Sequence, residues 1–144
     1  KSKARIIYEN DNFISFIPYF TDYPYGVFIV AKNKTVSVED FSDKEISDLA
    51  ISIKYVTGAF EKLFNKIFPY MMAIHQAPVN DTKWDDAKNY YRFHIEFYPP
   101  LRAADKIKWL ATSETGAGAA ANPRLVEETA EELRIALIKF LKAE

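Results

Sequence analysis

The sequence contains no cysteine, only four glycines and only two histidines among its 144 residues. Without cysteine, a disulfide framework and a thiolate metal site are both excluded. Lysine and arginine together number 19 against 20 aspartates and glutamates, and no basic run is present. That balance argues against non-specific nucleic-acid binding, which needs many cationic side chains to neutralise phosphates. The sequence also has no apolar run of membrane-spanning length and no signal-peptide pattern, so we expect no membrane partner.

Hydrophobic residues make up 49% of the sequence and aromatic residues 15%. This composition excludes extended disorder and is sufficient for one core, so we expect a single domain over residues 1–144. Together with the lack of cysteine, it fits a cytoplasmic protein. The chain begins at Lys1 rather than at a methionine, from which we expect a piece of a longer polypeptide.

The periodicity of apolar residues predicts an α+β fold with a mostly antiparallel sheet of five to six strands. Three strands are predicted first, over residues 4–9, 13–17 and 27–31, with the third in a central position. A long helix follows, because Ser42 and Glu45 form a capping box ahead of an apolar stripe that continues to Ile67. The helix is predicted to end at Phe68-Pro69. Three more strands are predicted over residues 70–77, 90–98 and 106–112, and a last helix is predicted to be capped by Asn122, with Pro123 in its first position. Both helices should pack on the sheet.

Residues 90–98 alternate between two different faces of the predicted strand. One face is apolar and consists of Tyr91, Phe93, Ile95 and Phe97. The other face carries Arg92, His94, Glu96 and Tyr98. If the strand that holds His75 lies beside this one, then His75, His94 and Glu96 converge. Zinc and iron accept such nitrogen and oxygen ligands, and a hydrogen-bonded polar cluster without metal is the alternative.

The segment after this strand carries a second group of polar and aromatic side chains. Lys108 suits a phosphate, Trp109 suits the face of a sugar, and Glu114 suits sugar hydroxyl groups. The alternative is an edge strand with a solvated lysine and a buried tryptophan. Gly116-Ala117-Gly118 lacks the Walker lysine of a phosphate-binding loop, so it is interpreted as a close-packed turn.

Three segments together resemble a known family: FHIEFYPPL at residues 93–101, KIKWLATSETGAG at residues 106–118, and IHQAP around His75. They are similar to the C-terminal half of galactose-1-phosphate uridylyltransferases, which belong to the histidine-triad superfamily. The resemblance implies a histidine-triad-like half-barrel. It also implies an enzyme that moves UMP from UDP-glucose to galactose 1-phosphate through a uridylyl-histidine.

The family's nucleophile lies in a His-Pro-His motif of the N-terminal half, and this sequence contains no such motif. The resemblance therefore implies no catalytic residue in this chain, which alone would be inactive and would need the N-terminal half as a partner. It implies substrate contacts across a homodimer interface by Lys108, Trp109, Ala111, Ser113 and Glu114.

The resemblance also implies a zinc or iron site at His75, His94 and Glu96. Glu96 stands where the family has a third histidine, and the fourth ligand would be a glutamate of the N-terminal half. Two alternatives remain open. One is a related NDP-sugar phosphorylase or adenylyltransferase. The other is a non-catalytic module that binds a sugar nucleotide or a protein.

Overall fold

The computed structural model describes residues 3–143, which form a five-stranded antiparallel sheet with two long helices on one face. The strands lie in the spatial order β1-β2-β3-β5-β4. Their bounds are β1 Ile6–Glu9, β2 Phe13–Phe16, β3 Val27–Ala31, β4 Met71–His75 and β5 His94–Tyr98. The helices are α1 Asp43–Leu63, α2 Thr112–Ala117 and α3 Val126–Leu141. A two-stranded hairpin, β6 Leu101–Ala103 with β7 Lys106–Ile107, lies outside the main sheet. The predicted α+β class, the antiparallel sheet and the central position of β3 are confirmed.

The core lies between the sheet and α1 and α3, because alternate side chains of β2, β3 and β5 point toward the helices. Phe13, Val27, Ile29, Ile95 and Phe97 are each almost completely buried on this face. The opposite face carries the intervening residues, which are only half-buried. Polar groups on β4 and β5 can therefore meet on a face that no helix covers.

Helix α1 begins as the sequence predicts and ends earlier than predicted. The Ser42 side chain accepts from the Glu45 N–H, and the Glu45 carboxylate accepts from the Ser42 N–H, which completes the capping box. The helix ends at Leu63, and Asn65 has a φ of 52°, a left-handed conformation that helices do not contain. The predicted continuation to Ile67 is therefore wrong, and Ile67 is almost fully exposed.

Helices α1 and α3 approach closely where Gly58 faces Phe140. A Cβ atom built on Gly58 would lie 2.7 Å from three atoms of the Phe140 ring. Glycine has a low helix propensity, so Gly58 weakens the middle of α1. Because it has no side chain, however, it leaves the space that the Phe140 ring occupies.

The two edges of the sheet differ in how much they are covered. On the β1 side, the Arg134 guanidinium of α3 donates to the carbonyl oxygens of Ala4 and Ile6, both at 2.7 Å. On the other side, no strand lies beyond β4 within residues 3–143, and its apolar side chains Met72 and Ile74 are about half exposed. An uncovered strand edge with apolar side chains is a surface on which another strand can pair.

Two predicted strands are wrong in extent. The strand predicted over residues 106–112 ends at Ile107, because Lys108 turns inward and its backbone N–H donates to the Pro100 carbonyl oxygen. Residues 108–111 have no regular secondary structure, and α2 begins at Thr112. The strand predicted over residues 90–98 begins only at His94, because the Phe93 N–H donates to the Thr35 carbonyl oxygen outside the sheet ladder. Tyr91 consequently contacts the His94 ring rather than the apolar face.

The last helix also starts later than predicted. It begins at Val126, and Asn122 does not cap it. The Asn122 side chain instead accepts from the Arg124 N–H and donates to the Thr21 carbonyl oxygen. Pro123 therefore lies in the connection before the helix rather than in its first turn. Throughout the described chain, no helix combines the length and the apolar character needed to cross a membrane.

Candidate functional site

The side chains of His75, His94 and Glu96 lie together on the uncovered face of the sheet. Strands β4 and β5 pair with His75 opposite His94, so both imidazoles point to the same side. Glu96 is two residues further along β5 and shares that side. Its Oε2 atom lies 3.5 Å from His75 Nε2, and its Oε1 atom lies 3.3 Å from His94 Nε2. The three residues therefore present one ligand atom each within 4.8 Å of one another, as the strand register predicts.

One hydrogen bond orients the His94 ring within this cluster. His94 Nδ1 lies 2.8 Å from the Arg92 carbonyl oxygen, which accepts hydrogen bonds only, so Nδ1 carries a proton. In the neutral ring, His94 Nε2 then presents a lone pair toward the Glu96 carboxylate. His75 Nε2 is buried and has no hydrogen-bond partner among residues 3–143. Two imidazole nitrogens and a carboxylate therefore lie around a common point, an arrangement that a metal cation can occupy.

The donor set fits a metal ion of the zinc or iron class. Two imidazole nitrogens and one carboxylate oxygen are ligands of both metals, and the Arg92 carbonyl orients the His94 ring as an outer hydrogen-bond partner. Arg92 itself does not join the cluster, since its guanidinium donates to the Tyr91 carbonyl oxygen. The described residues place three ligands here. A closed structural zinc site has four.

A second polar group lies at the other end of β5, where Lys108 and Glu114 form a buried ion pair. Lys108 Nζ lies 2.5 Å from Glu114 Oε1, and both side chains are more than nine-tenths buried. Trp109, in contrast, is 79% exposed. Both expectations of the edge-strand alternative, a solvated lysine and a buried tryptophan, are therefore wrong.

Glu114 holds the segment around it in one conformation. Its carboxylate accepts from the backbone N–H groups of Ala111 at 2.9 Å and Ala121 at 3.3 Å, as well as from Lys108. The Lys108 hydrogen bond and then the Ala111 N–H lower the pKa of Glu114 to about 2. The carboxylate is therefore ionised at neutral pH. The close-packed turn predicted over Gly116-Ala117-Gly118 is wrong, because Gly116 and Ala117 belong to α2 and no atom lies within 4 Å of a Cβ on Gly118. Gly118 alone ends the helix, in the left-handed conformation at a φ of 62°.

The loop that precedes β3 is fixed against this segment, which sequence reasoning did not anticipate. Lys108 donates to the Asp22 carbonyl oxygen, and Asn122 donates to the neighbouring Thr21 carbonyl oxygen at 3.1 Å. The Tyr23 ring covers the Lys108 ammonium, with its centroid 5.3 Å from Nζ. The only sequence signal is the density of aromatic residues in this loop, which does not specify what they contact.

A cavity of about 200 Å³ lies between the loop and the segment. Tyr23, Lys108, Leu110, Glu114 and Gly118 are among its lining residues. Of the five predicted substrate contacts, only Lys108 and Glu114 line it. Trp109, Ala111 and Ser113 are exposed and do not line it, and Trp109 lines a separate surface pocket with Lys106 and Ile107. The structure thus brings together two of the five residues and leaves the other three on the adjoining surface.

Residues 1–139 match the family described as galactose-1-phosphate uridyl transferase, C-terminal domain. The chain belongs to this family. The galactose-1-phosphate uridylyltransferase of Thermotoga maritima is 40% identical over 134 residues, which cover 93% of this chain and 41% of that protein. The chain thus spans less than half the length of this curated relative.

Solved structures support the same family and its wider fold. A structure described as a uridylyltransferase mutant superimposes with a TM-score of 0.84 and 31% identity, and the match covers 96% of this chain and 44% of that one. A zinc-bound histidine triad family protein from Mycobacterium smegmatis gives a TM-score of 0.61 at 22% identity, over 96% of this chain and 87% of that one. The second likeness shows the fold alone. The predicted resemblance to the galactose-1-phosphate uridylyltransferase family is therefore confirmed. The predicted histidine-triad-like architecture is confirmed as well.

Proposed function

We propose that this chain is the C-terminal half of a galactose-1-phosphate uridylyltransferase that transfers UMP from UDP-glucose to galactose 1-phosphate. The observation that carries the proposal is the family match over residues 1–139, combined with the partial coverage of the full-length relative. The nucleophilic histidine of the reaction lies outside this chain. Within it, the strand face that holds His94 carries Glu96 two residues further on, so the repeated histidines of a triad are missing.

The chain's contribution to the reaction is to hold the sugar and to complete the architecture around it. The cavity between the loop before β3 and α2 is a candidate site for the hexose moiety, since its size suits one sugar ring and Glu114 offers a carboxylate oxygen. Trp109 and Ser113 extend the contact surface beside it, together with the backbone of Ala111. The exposed side chains of Trp109 and Leu110 also suit a homodimer interface, where aromatic residues are enriched.

His75, His94 and Glu96 would hold zinc or iron, with a fourth ligand from the N-terminal half. When bound, the metal would cross-link β4, β5 and that half. Strand β4 would be the contact, because its edge is uncovered and its apolar side chains are exposed. We place the complete enzyme in the cytoplasm, since a cysteine-free chain gains nothing from an oxidising compartment.

The test is nucleotidyl transfer from labelled UDP-glucose, with the full-length Thermotoga maritima relative as the positive control. The isolated chain should acquire no acid-labile label, because it lacks the nucleophile. Addition of the N-terminal half of that relative should restore labelling, on the added half. Label on His94 of the isolated chain, abolished by His94→Ala, would show that this half carries its own nucleophile and would overturn the proposal.

A further inference from the structure

A cavity of about 220 Å³ lies on the uncovered face of the sheet, beside the metal cluster. Its lining residues come from the loop before β3, from β3 and from β5: Phe20, Thr21, Asp22, Phe28, Glu96 and Tyr98. Asp22 is the one residue that also lines the cavity beside Lys108. This is therefore a second site, separate from the one proposed for the hexose.

Three aromatic rings form the walls of this cavity. Phe28 lies directly opposite Glu96 across the pairing of β3 and β5, so both side chains stand on the uncovered face. The Phe20 ring meets the Phe28 ring edge to face at a centroid distance of 5.8 Å, although Phe20 itself is 73% exposed. Tyr98 follows Glu96 by two residues on the same face of β5 and supplies the third ring. Aromatic ring faces attract cations, because their π electrons carry partial negative charge.

The charged groups that line the cavity are all negative. They are the carboxylates of Asp22 and Glu96, and no lysine or arginine of residues 3–143 lines the cavity. The two oxygens of Glu96 are directed at the two imidazoles of the metal cluster, at 3.5 and 3.3 Å. Asp22 is exposed, and within the described chain only its main-chain carbonyl oxygen has a partner, the Lys108 ammonium, which is itself paired with Glu114. The Asp22 carboxylate is thus the charge that remains available to a ligand.

A guanidinium group fits these surroundings better than an ammonium group. It is planar, it stacks on aromatic faces, and it donates two parallel hydrogen bonds to a carboxylate. An ammonium group is more strongly hydrated, so it loses more on leaving water for a site with aromatic walls. A cavity of about 220 Å³ holds one guanidinium group with part of an aliphatic stem. The ligand that matches the cavity is therefore the end of an arginine side chain.

The position of the cavity indicates which part of the protein presents this arginine. The cavity shares Glu96 with the metal cluster, and the Phe28 ring stacks on the His94 ring with centroids 6.1 Å apart. The described residues supply three metal ligands, whereas a closed site has four. A segment that brings the fourth ligand has to approach over the same uncovered face. Such a segment passes directly beside the cavity.

We propose that this cavity binds the guanidinium group of an arginine side chain, which the N-terminal half of the enzyme inserts beside the metal cluster. The Asp22 carboxylate pairs with the guanidinium group, and the rings of Phe20, Phe28 and Tyr98 enclose it. The identity of the partner rests on the proposed function, whereas the preference for a guanidinium group does not. The N-terminal half is then held at two adjoining points, the metal and the arginine.

The first experiment titrates the chain with N-acetyl-arginine methylamide and follows the ring signals of Phe20, Phe28 and Tyr98 by nuclear magnetic resonance. The signals should shift together, whereas the citrulline analogue, which has the same shape without the charge, should leave them in place. Asp22→Asn should weaken binding by at least about fivefold, because it removes the charge and keeps the main-chain carbonyl that accepts from Lys108. Asp105→Asn, at an exposed carboxylate between β6 and β7, is the matched control and should bind like the parent chain.

The contribution of the rings is tested at a position on which the core does not depend. Phe20→Leu should weaken binding of the arginine analogue by about threefold or more, since it removes one aromatic wall. Tyr19→Leu is the control, because Tyr19 is the neighbouring residue and is 78% exposed but does not line the cavity. Equal shifts with the citrulline analogue, or equal binding by Asp22→Asn and the parent chain, would overturn the guanidinium site.

The second experiment identifies the partner in the complete enzyme with phenylglyoxal, a reagent for arginine, and locates the modified residues by mass spectrometry. One arginine of the N-terminal half should react at least about tenfold faster in Asp22→Asn than in the parent enzyme, and Asp105→Asn should not change its rate. If no arginine of that half changes its reactivity, the N-terminal half is not the partner and the proposal is overturned. A complete enzyme that fails to transfer UMP would instead contradict the proposed function, and the titration with the arginine analogue would still decide whether the cavity binds guanidinium.

Discussion

The imidazole rings of His75 and His94 lie parallel on neighbouring strands, with an interplanar angle of 6° and centroids 4.7 Å apart. The direct cross-strand pairing of the two residues produces this arrangement, since both rings stand on the same side of the sheet. Each ring presents its Nε2 atom to one oxygen of Glu96. Strand pairing alone therefore sets the spacing of the cluster.

Added Zn²⁺ should bind this cluster weakly, because the chain provides three of the four ligands that a closed site needs. In a titration, the ring signals of His75 and His94 should shift together, and the metal should be lost on dialysis against a chelator. Glu96→Gln should weaken binding by at least about tenfold, whereas Glu128→Gln, at an exposed carboxylate of α3, should not change it. One zinc or iron retained per chain after chelation would show that this chain completes the site. If the ring signals do not shift when Zn²⁺ is added, the three residues form a hydrogen-bonded polar cluster that does not bind the metal.

The exposed edge at β4 should cause the isolated chain to associate. Light scattering should detect dimers at high concentration, since Met72 and Ile74 lie beside an unpaired strand edge. Ile74→Lys should shift the midpoint of association to a concentration higher by about tenfold, because it introduces a charge at the contact. Ile67→Lys provides the control, because Ile67 is the same residue type and is even more exposed, at 90% against 56% for Ile74, but lies before the strand. A strict monomer, or equal effects of the two substitutions, would speak against strand pairing at this edge.

Gly58→Ala should destabilise the chain, although alanine favours a helix over glycine by about 1 kcal/mol. The added Cβ would meet the Phe140 ring at 2.7 Å, and overpacking of this kind costs about 1–3 kcal/mol. Chemical denaturation measures the change. In a Phe140→Ala background the same substitution should become stabilising, because the obstructing ring is gone. A loss of stability that persists in that background would trace the effect to the backbone of α1 rather than to the ring.

Ser15→Ala should leave the free energy of unfolding unchanged or raise it by up to about 1 kcal/mol. Ser15 is fully buried on the helix-facing side of β2, and its hydroxyl group has no hydrogen-bond partner. Ser52→Ala is the control, because the equally buried Ser52 hydroxyl donates to the Asp48 carbonyl oxygen and accepts from Asn10. That change should cost about 1 kcal/mol. If Ser15→Ala proves as costly as Ser52→Ala, the Ser15 hydroxyl has a partner after all.

The stabilising effect of Glu114 should depend on pH in a defined direction. Its pKa is lowered from 4.5 to about 2, so the ionised carboxylate stabilises the folded segment. The contribution is complete above pH 4.5 and disappears as the pH falls toward about 2. Hydrogen exchange at Ala121 should therefore differ between the parent chain and Glu114→Gln at pH 6, and the two should converge in strong acid. Glu39→Gln, at an exposed side chain, should follow the parent chain throughout, and a difference that is constant with pH would contradict the charge-based explanation.

The sequence predicted the elements whose signals are local and regular. The capping box at Ser42 sets the start of α1, and strict alternation in β5 places His94 and Glu96 on one face. The end of α1 could not be predicted in the same way, since apolar residues continue past Leu63 while the backbone turns at Asn65. Periodicity indicates which residues prefer burial, but it does not show where the chain changes direction.

The arrangement around Glu114 was predicted least well, because it depends on contacts between residues far apart in the sequence. The alternation in residues 106–112 suggested a strand, yet the burial of Lys108 against Asp22 and Tyr23 ends the hairpin there. A lysine in an amphipathic pattern is ordinarily placed in solvent. Its burial becomes favourable only when a carboxylate, a carbonyl oxygen and an aromatic face meet it, and the sequence does not show that they do.

The two hydrogen bonds that Arg134 donates to the β1 side of the sheet limit how many copies of this chain can add to one another. A sheet that accepts strands at both edges can grow without end into a filament, as cross-β assemblies do. Here two carbonyl groups on the β1 side are already bonded from within, so that edge is less receptive to another strand than the β4 edge. Two copies that meet through β4 use the more receptive edge of each chain, which favours a closed dimer over a filament.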